Sequence, residues 1–291
     1  MKAGFDHELL SSFYLWFDDR LNYFAEAYKD PVQHTFQQVD SIDIPSNYLA
    51  YYSPYRQFVW ASDKISVSNQ VTIDGNVVQD RNGIYIDYNQ GRVLVDTGIF
   101  GNNKNLDIKG TFAYKTINTY ITDETEESVI VNSDFIISPL NQTYLQQNGG
   151  FNDKIYTIPA VFLTLANSEN KPFAFGGLDC TELNLRAVVV ADSNYTLDGV
   201  LSLFRDSART CFSLINFEDF PFGEFSHIKN PPYKYSDLIA SSTKKPFIEN
   251  VRASKLTDRS RERITSSKDY KIGFLDFELS KVRNPRESFS R

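Results

Sequence analysis

The chain has 291 residues, enough for about two domains at the usual ~100–200 residues each. A hydrophobic fraction of 41% and a charged fraction of 23% exclude global disorder, and 23 Phe and 17 Tyr favour strands and interfaces. The net charge of −7 argues against non-specific nucleic-acid binding, and the longest apolar run, Ala187–Ala191, is far short of the roughly 20 residues of a membrane span.

Leu9, Leu10, Phe13, Trp16, Phe17, Leu21, Phe24 and Tyr28 recur at spacings of three and four, which predicts an amphipathic helix. Asp18, Asp19, Arg20, Asn22, Glu26 and Lys29 fill its polar face, Asp6 is the N-cap, and Asp30-Pro31 ends it. Residues 31–57 read as irregular, with tyrosines at 48, 51, 52 and 55. From 58 to 137 the pattern changes to short strands and turns. Val71–Ile73 and Val77-Val78 flank the hairpin turn Asp74-Gly75-Asn76, and Ile84–Tyr88 and Arg92–Asp96 flank Asn89-Gln90-Gly91. Ile108, Gly110, Phe112 and Tyr114 alternate as in a half-buried strand, which Ile117–Ile121 continues. An acidic loop at 123–127 precedes a further strand at Val129–Val131.

Residues 138–153 read as a polar loop. Strands are expected at Ile155–Leu165 and at Leu183–Asp192, the latter apolar enough to be central in a sheet. Leu197, Val200, Leu201, Leu203, Phe204, Ala208, Cys211, Phe212 and Ile215 follow helical spacing, capped by Ser193 or Thr196. Asn230–Tyr233 breaks the chain, Arg252–Arg263 is a charged stretch, and Ile272–Val282 alternates as a final strand. The fold class is therefore α+β: a strand–helix–strand layer with an N-terminal amphipathic helix and an antiparallel β-rich, sandwich- or barrel-like insertion. The expected division is 1–50 as helix and linker packing on the C-terminal part, 51–137 as the β-rich insertion, and 138–291 as an α+β assembly domain.

No phosphate-cradling G-x-x-x-x-G-K-[ST], no dinucleotide fingerprint and no G-x-S-x-G elbow occurs. His7, His34 and His227 lack further ligands at metal spacing. The expectation is a protein with no cofactor, no metal and no catalytic residues, hence not an enzyme. A triad assembled from distant residues stays open, as does a carboxylate pair for glycan cleavage, since 37 acids are available. Cys180 and Cys211 read as free thiols of a reducing compartment, and Met1–Glu8 has no apolar stretch of the kind a secretory signal needs.

Charge is unevenly spread. From Lys244 to Arg291, 13 basic residues face 7 acidic ones, a net of +6, which leaves −13 on the rest. Arg252, Lys255, Arg259, Arg261, Arg263 and Lys268 are the candidate interface. Asp258, Glu262 and Asp269 interrupt the positive run, so an acidic protein surface suits it better than a phosphate backbone.

Several stretches together resemble virion structural proteins of tailed bacteriophages. These are Phe5-Asp6-His7-Glu8-Leu9-Leu10 in the aromatic first helix, Ser53-Pro54-Tyr55-Arg56-Gln57-Phe58-Val59, Gly83–Val93, and Leu185–Ser193 followed by a helix. The resemblance implies a neck or tail-terminator subunit that joins head to tail as a multi-copy ring. It implies contacts with itself and neighbouring virion proteins, synthesis in the host cytoplasm, and no catalytic residues. Neither a membrane nor sequence-specific nucleic acid is an expected partner. The alternative is a glycan-binding or glycan-cleaving tail protein, such as a baseplate or fibre adaptor.

Overall fold

The computed structural model describes residues 5–40, 44–61, 63–137, 155–172, 178–230, 233–240, 242–257 and 270–283. The chain is α+β, built from one helix set among two large sheets. Helix α1 (Phe5–Asp19) passes into a π-helical turn, Arg20–Phe24. There follow β1 (Tyr28–Gln38), β2 (Tyr48–Tyr52), β3 (Gln70–Ile73), β4 (Asn76–Gln79), β5 (Ile84–Asp87), β6 (Arg92–Asp96), the single turn α2 (Thr97–Phe100) and β7 (Ile108–Lys115). These strands form a seven-stranded sheet in the order β4-β3-β7-β1-β2-β6-β5, antiparallel throughout.

The second sheet uses β8 (Asn118–Ile121), β11 (Ala160–Pro172), β12 (Asp179–Ala191), β13 (Phe247–Lys255) and β14 (Lys271–Arg283). Its order is β13-β14-β12-β11-β8, with only β8 running parallel to its neighbour. Between these strands lie α3 (Glu126–Asn132), the parallel pair β9 (Asp134–Ile137) and β10 (Ile155–Ile158), α4 (Asn194–Arg205) and α5 (Tyr235–Ala240). The β-rich span 51–137 thus shares its sheet with β1 and hands its last β8 residues to the other sheet.

Both predicted hairpins form. Asp74 and Gly75 sit at φ +49 and +83, the paired positive φ values of a tight hairpin turn. Gly91, at φ +60, lies under the chain at Tyr55, and a Cβ there would stand 2.1 Å from the Tyr55 carbonyl oxygen, so only glycine fits.

The apolar run 187–191 is explained by its place in the middle of the second sheet. Leu183, Leu185, Ala187 and Val189 join the main core with Leu275, Phe277 and Leu279. Val188 and Val190 point to the other face, into a smaller core with Val129, Ile130, Ile158 and Phe162. A strand covered on both faces has no reason to alternate. Helix α4 packs on the first of those faces through Leu197, Val200, Leu201 and Phe204. Of the two expected caps it is Ser193 that serves, its hydroxyl accepting from Thr196 N at 3.2 Å. Ser193→Ala should cost about 1 kcal/mol in urea unfolding, with no change in the m-value.

Several elements depart from the expectation. The first helix ends at residue 24, not at Asp30-Pro31, and Tyr28 to Gln38 is strand β1. The strand carries only two buried side chains, His34 and Phe36, so little in its own pattern announces it. The tyrosine-rich stretch taken as irregular contains β2. Val129–Val131 belongs to helix α3, whose N-cap Thr125 accepts from Ser128 N at 3.3 Å. Pro159 splits the expected strand 155–165 into β10 and β11, which pair with different neighbours. Helix α4 stops at Arg205; Ala208, Phe212 and Ile215 are packed without helix, and Cys211 is exposed. The charged stretch begins inside β13.

Candidate functional site

Helix α1 is buried on almost every side. Ser11 to Asp18 are all at most 8% exposed, so the helix is a central element and not a surface stripe. Its residues share one core with strands of both sheets. On one side Phe17 stacks on Phe204 of α4 at 3.7 Å between ring centroids, and Phe13 meets Phe277 of β14 edge-on at 4.9 Å. On the other, Asp18, assigned by periodicity to the polar face, receives Lys115 Nζ of β7 at 2.6 Å and Asn22 Nδ2 at 2.8 Å. Both partners of this ion pair are essentially inaccessible to water. Burial pushes Asp18 up and Lys115 down, and each is opposed by the other's charge.

A second buried group closes the 88–91 turn. Arg92 donates to Asp87 at 2.9 Å and to the Tyr52 hydroxyl at 2.7 Å, while Asp87 also accepts from Asn89 N and Gln90 N. Burial raises Asp87 to about 6 against the pull of Arg92 and the two amides. Nearby Arg56 is buried, which lowers its guanidinium to about 10 against the neighbouring tyrosines Tyr120, Tyr52 and Tyr156.

The three histidines are in separate places. His34 Nε2 lies 3.0 Å from the Phe112 carbonyl oxygen, which can only accept, so Nε2 carries the hydrogen. Nδ1 therefore accepts from the Ser53 hydroxyl at 2.7 Å. A serine hydroxyl on a histidine nitrogen is the pairing of nucleophilic catalysis. Here both residues are at most 3% exposed, in a cage with Tyr55, Phe58 and Phe112, and the third member is a peptide carbonyl. Burial lowers the His34 pKa. The pair ties β1, β7 and the loop after β2 together and meets no solvent. Among the described residues no three His, Cys, Asp or Glu side chains converge on a metal position.

The accessible chemistry is concentrated where α1 ends. A π-turn holds one more residue per turn than an α-turn and rotates the side chains that follow. Leu21 stays buried, whereas Tyr23 and Phe24 swing out to 44% and 57% exposure. Lys64 pins the turn, donating to the Tyr23 carbonyl at 2.5 Å and to Glu26 at 3.2 Å, with its ammonium 4.5 Å from the Tyr23 ring centre. Beside the turn opens a cleft of about 570 Å3, walled by Trp16, Phe212, Tyr235 and Ile239 and carrying Asp19, Arg20, Asp63 and Lys245.

Within it, Asp63 accepts from Tyr235 N at 2.7 Å and Ser236 N at 3.1 Å, which caps α5 from a distant loop. The Arg20 guanidinium lies 4.5 Å from the Phe24 ring centre and 5.5 Å from that of Trp16. Asp19 has no hydrogen-bond donor among the described residues and forms no cap bond. Burial raises it to about 7, helped by the charges of Asp63 and Asp18 and opposed by Arg20 and Lys64. Sequence reading placed Asp19 and Arg20 on a solvated helix face and did not single out Asp63. No local signal marks the three as one site, because the loop holding Asp63 and helix α5 reach it from far along the chain.

A second groove, of about 920 Å3, follows α4 and is bordered by Leu21, Ala253 and Lys255. Of the predicted interface residues, Arg252 lies exposed on β13 and pairs with Glu278 of β14 at 2.8 Å. Lys255, at the end of the same strand, pairs with Asp198 of α4. Arg259, Arg261, Arg263 and Lys268 lie outside the described residues. No family model and no curated protein matches the chain.

Proposed function

We propose that the chain is a structural subunit that works by joining copies of itself head to tail into a ring, as in the neck or tail end of a tailed bacteriophage. The observation that carries this reading is the pair of open edges on the second sheet. Strand β8 ends opposite Leu163, so among the described residues β11 from Thr164 to Pro172 is paired to a strand, β12, on one side only. At the other edge, residues 209–212 bond to the chain at Pro246 and Ile248, and among the described residues β13 beyond that point is paired to β14 alone. Every pairing from β13 through β14 and β12 to β11 is antiparallel, so the two edges run in opposite directions.

A copy placed beside another in the same orientation therefore sets β13 antiparallel to β11 and continues the sheet. Such a contact uses two different surfaces, and repeating it closes a ring when the rotation per copy allows. Bulges near 165–167 and 248–250 increase local twist, which supplies a rotation. Arg252, Lys255 and the basic residues that follow would steer the encounter more than they hold it.

In light scattering coupled to size exclusion, the protein should elute as one multi-copy species, seen as rings by electron microscopy. Arg252→Glu with Lys255→Glu should slow assembly, most at low salt, with an unchanged circular dichroism spectrum. The two intramolecular pairs lost are exposed and contribute only ~0–1 kcal/mol each. A wild-type protein that stays monomeric would overturn the reading.

A further inference from the structure

We propose that the cleft at the end of α1 binds a saccharide, with Asp19 accepting from its hydroxyls and the edge of Arg20 donating to them. This site stands apart from the sheet edges, and the inference does not rest on assembly.

The shape comes first. A cleft of about 570 Å3 lies in the ~300–1,000 Å3 range of small-ligand sites, and it has the usual make-up of apolar walls with a few convergent polar groups. Its charges decide the class of ligand. Asp19 and Asp63 are balanced by Arg20 and Lys245, so neither a cationic nor an anionic ligand gains from the site as a whole. A neutral ligand that offers donors and acceptors together uses both signs.

The polar groups are also unequal in what they have left to give. Asp63 is committed to the amides of α5. Asp19 has no donor among the described residues, an open position for a half-buried carboxylate. The Arg20 guanidinium lies near the rings of Phe24 and Trp16 and has no acceptor among the described residues, which leaves its N–H groups to donate. At the rim, Tyr23 and Phe24 expose aromatic surface to which the C–H face of a sugar ring can pack. Acceptor, donor and apolar platform thus stand within one cleft, the combination that a pyranose ring needs.

Protonation provides an internal readout. The groups facing Asp19 are Asp63 and Asp18, which raise it to about 7, and Arg20 and Lys64, which lower it. Tyr235, Lys245 and Cys211 complete the walls. The accepting form is the ionised one, so affinity should rise between about pH 6 and about pH 8.

The test is isothermal titration calorimetry of the full chain with maltotetraose, cellotetraose and chitotetraose at both pH values. Asp19→Asn and Phe24→Ala are titrated alongside. At least one tetrasaccharide should bind, more tightly at the higher pH. Asp19→Asn should weaken it by about tenfold and remove the pH dependence, Phe24→Ala should also weaken it, and neither variant should lower the parent melting temperature. The proposal is overturned if none of the three binds, or if Asp19→Asn binds as the parent does. It is equally overturned if a tetralysine peptide binds in an Asp19-dependent way while the saccharides do not. A monomeric protein that binds saccharide would sink the ring and keep this site; a ring that binds none would do the reverse.

Discussion

Replacing Lys115 by methionine should destabilise the protein by about 3–5 kcal/mol, the usual cost of removing one partner of a buried ion pair. The ammonium and the Asp18 carboxylate are 2.6 Å apart and at most 1% exposed. Without Lys115, Asp18 keeps the neutral amide of Asn22 beside it and stays buried with its charge uncompensated.

The same variant has a defined pH signature. Burial already raises Asp18, and Lys115 is the leading influence against that rise. Removing Lys115 raises the folded-state pKa further above the unfolded value. A carboxyl shifted in that direction binds its proton more tightly when folded, so its contribution is present below the unfolded pKa and lost as pH climbs through the folded one. The deficit of Lys115→Met should therefore be smallest near pH ~4 and largest near pH ~8. Urea unfolding at the two pH values measures it, and equal deficits at both would show that Asp18 is not the buried charge responsible. Adding Asp18→Leu should recover much of the loss, because a buried ion pair replaced on both sides by apolar groups is often neutral.

Phe17→Ala should cost about 3–5 kcal/mol, as large-to-small changes of a buried aromatic do. Phe17 is fully buried and stacks on Phe204 with the rings 4° from parallel. It also meets Phe277 edge-on at 6.2 Å and Phe13 at 6.0 Å, so one side chain joins α1, α4 and β14. Tyr195→Ala on α4 is the control: that ring is 91% exposed, and its removal should stay within about ±0.5 kcal/mol. Denaturant midpoints of the two variants, at equal m-value, decide whether α4 is held through Phe17.

What the chain alone determined is what short-range physics determines. Asp74-Gly75 and the glycine at 91 mark turns because few other residues adopt those φ values, and both hairpins stand where their turns place them. Ser193 caps a helix because its hydroxyl reaches an amide three residues on. Ala187 to Ala191 lies in a central strand because a strand covered on both faces can use unbroken apolar sequence. The α+β class follows from these local choices.

The tertiary structure decided the rest, because the partners involved are far apart in sequence. Tyr28 to Gln38 is a polar segment with a proline, and it becomes a strand only through pairing with β7 and β2. Val129 to Val131 has strand-like residues, yet Thr125 and the acids after it cap a helix that packs its valine and isoleucine on the smaller core. Asp18 counts as a surface residue by helical periodicity until Lys115, 97 positions later, covers it. The cleft is the extreme case: Asp19 and Arg20 lie on α1, but the carboxylate of Asp63 and the walls at Phe212 and Tyr235 are brought to them only when both sheets close around that helix.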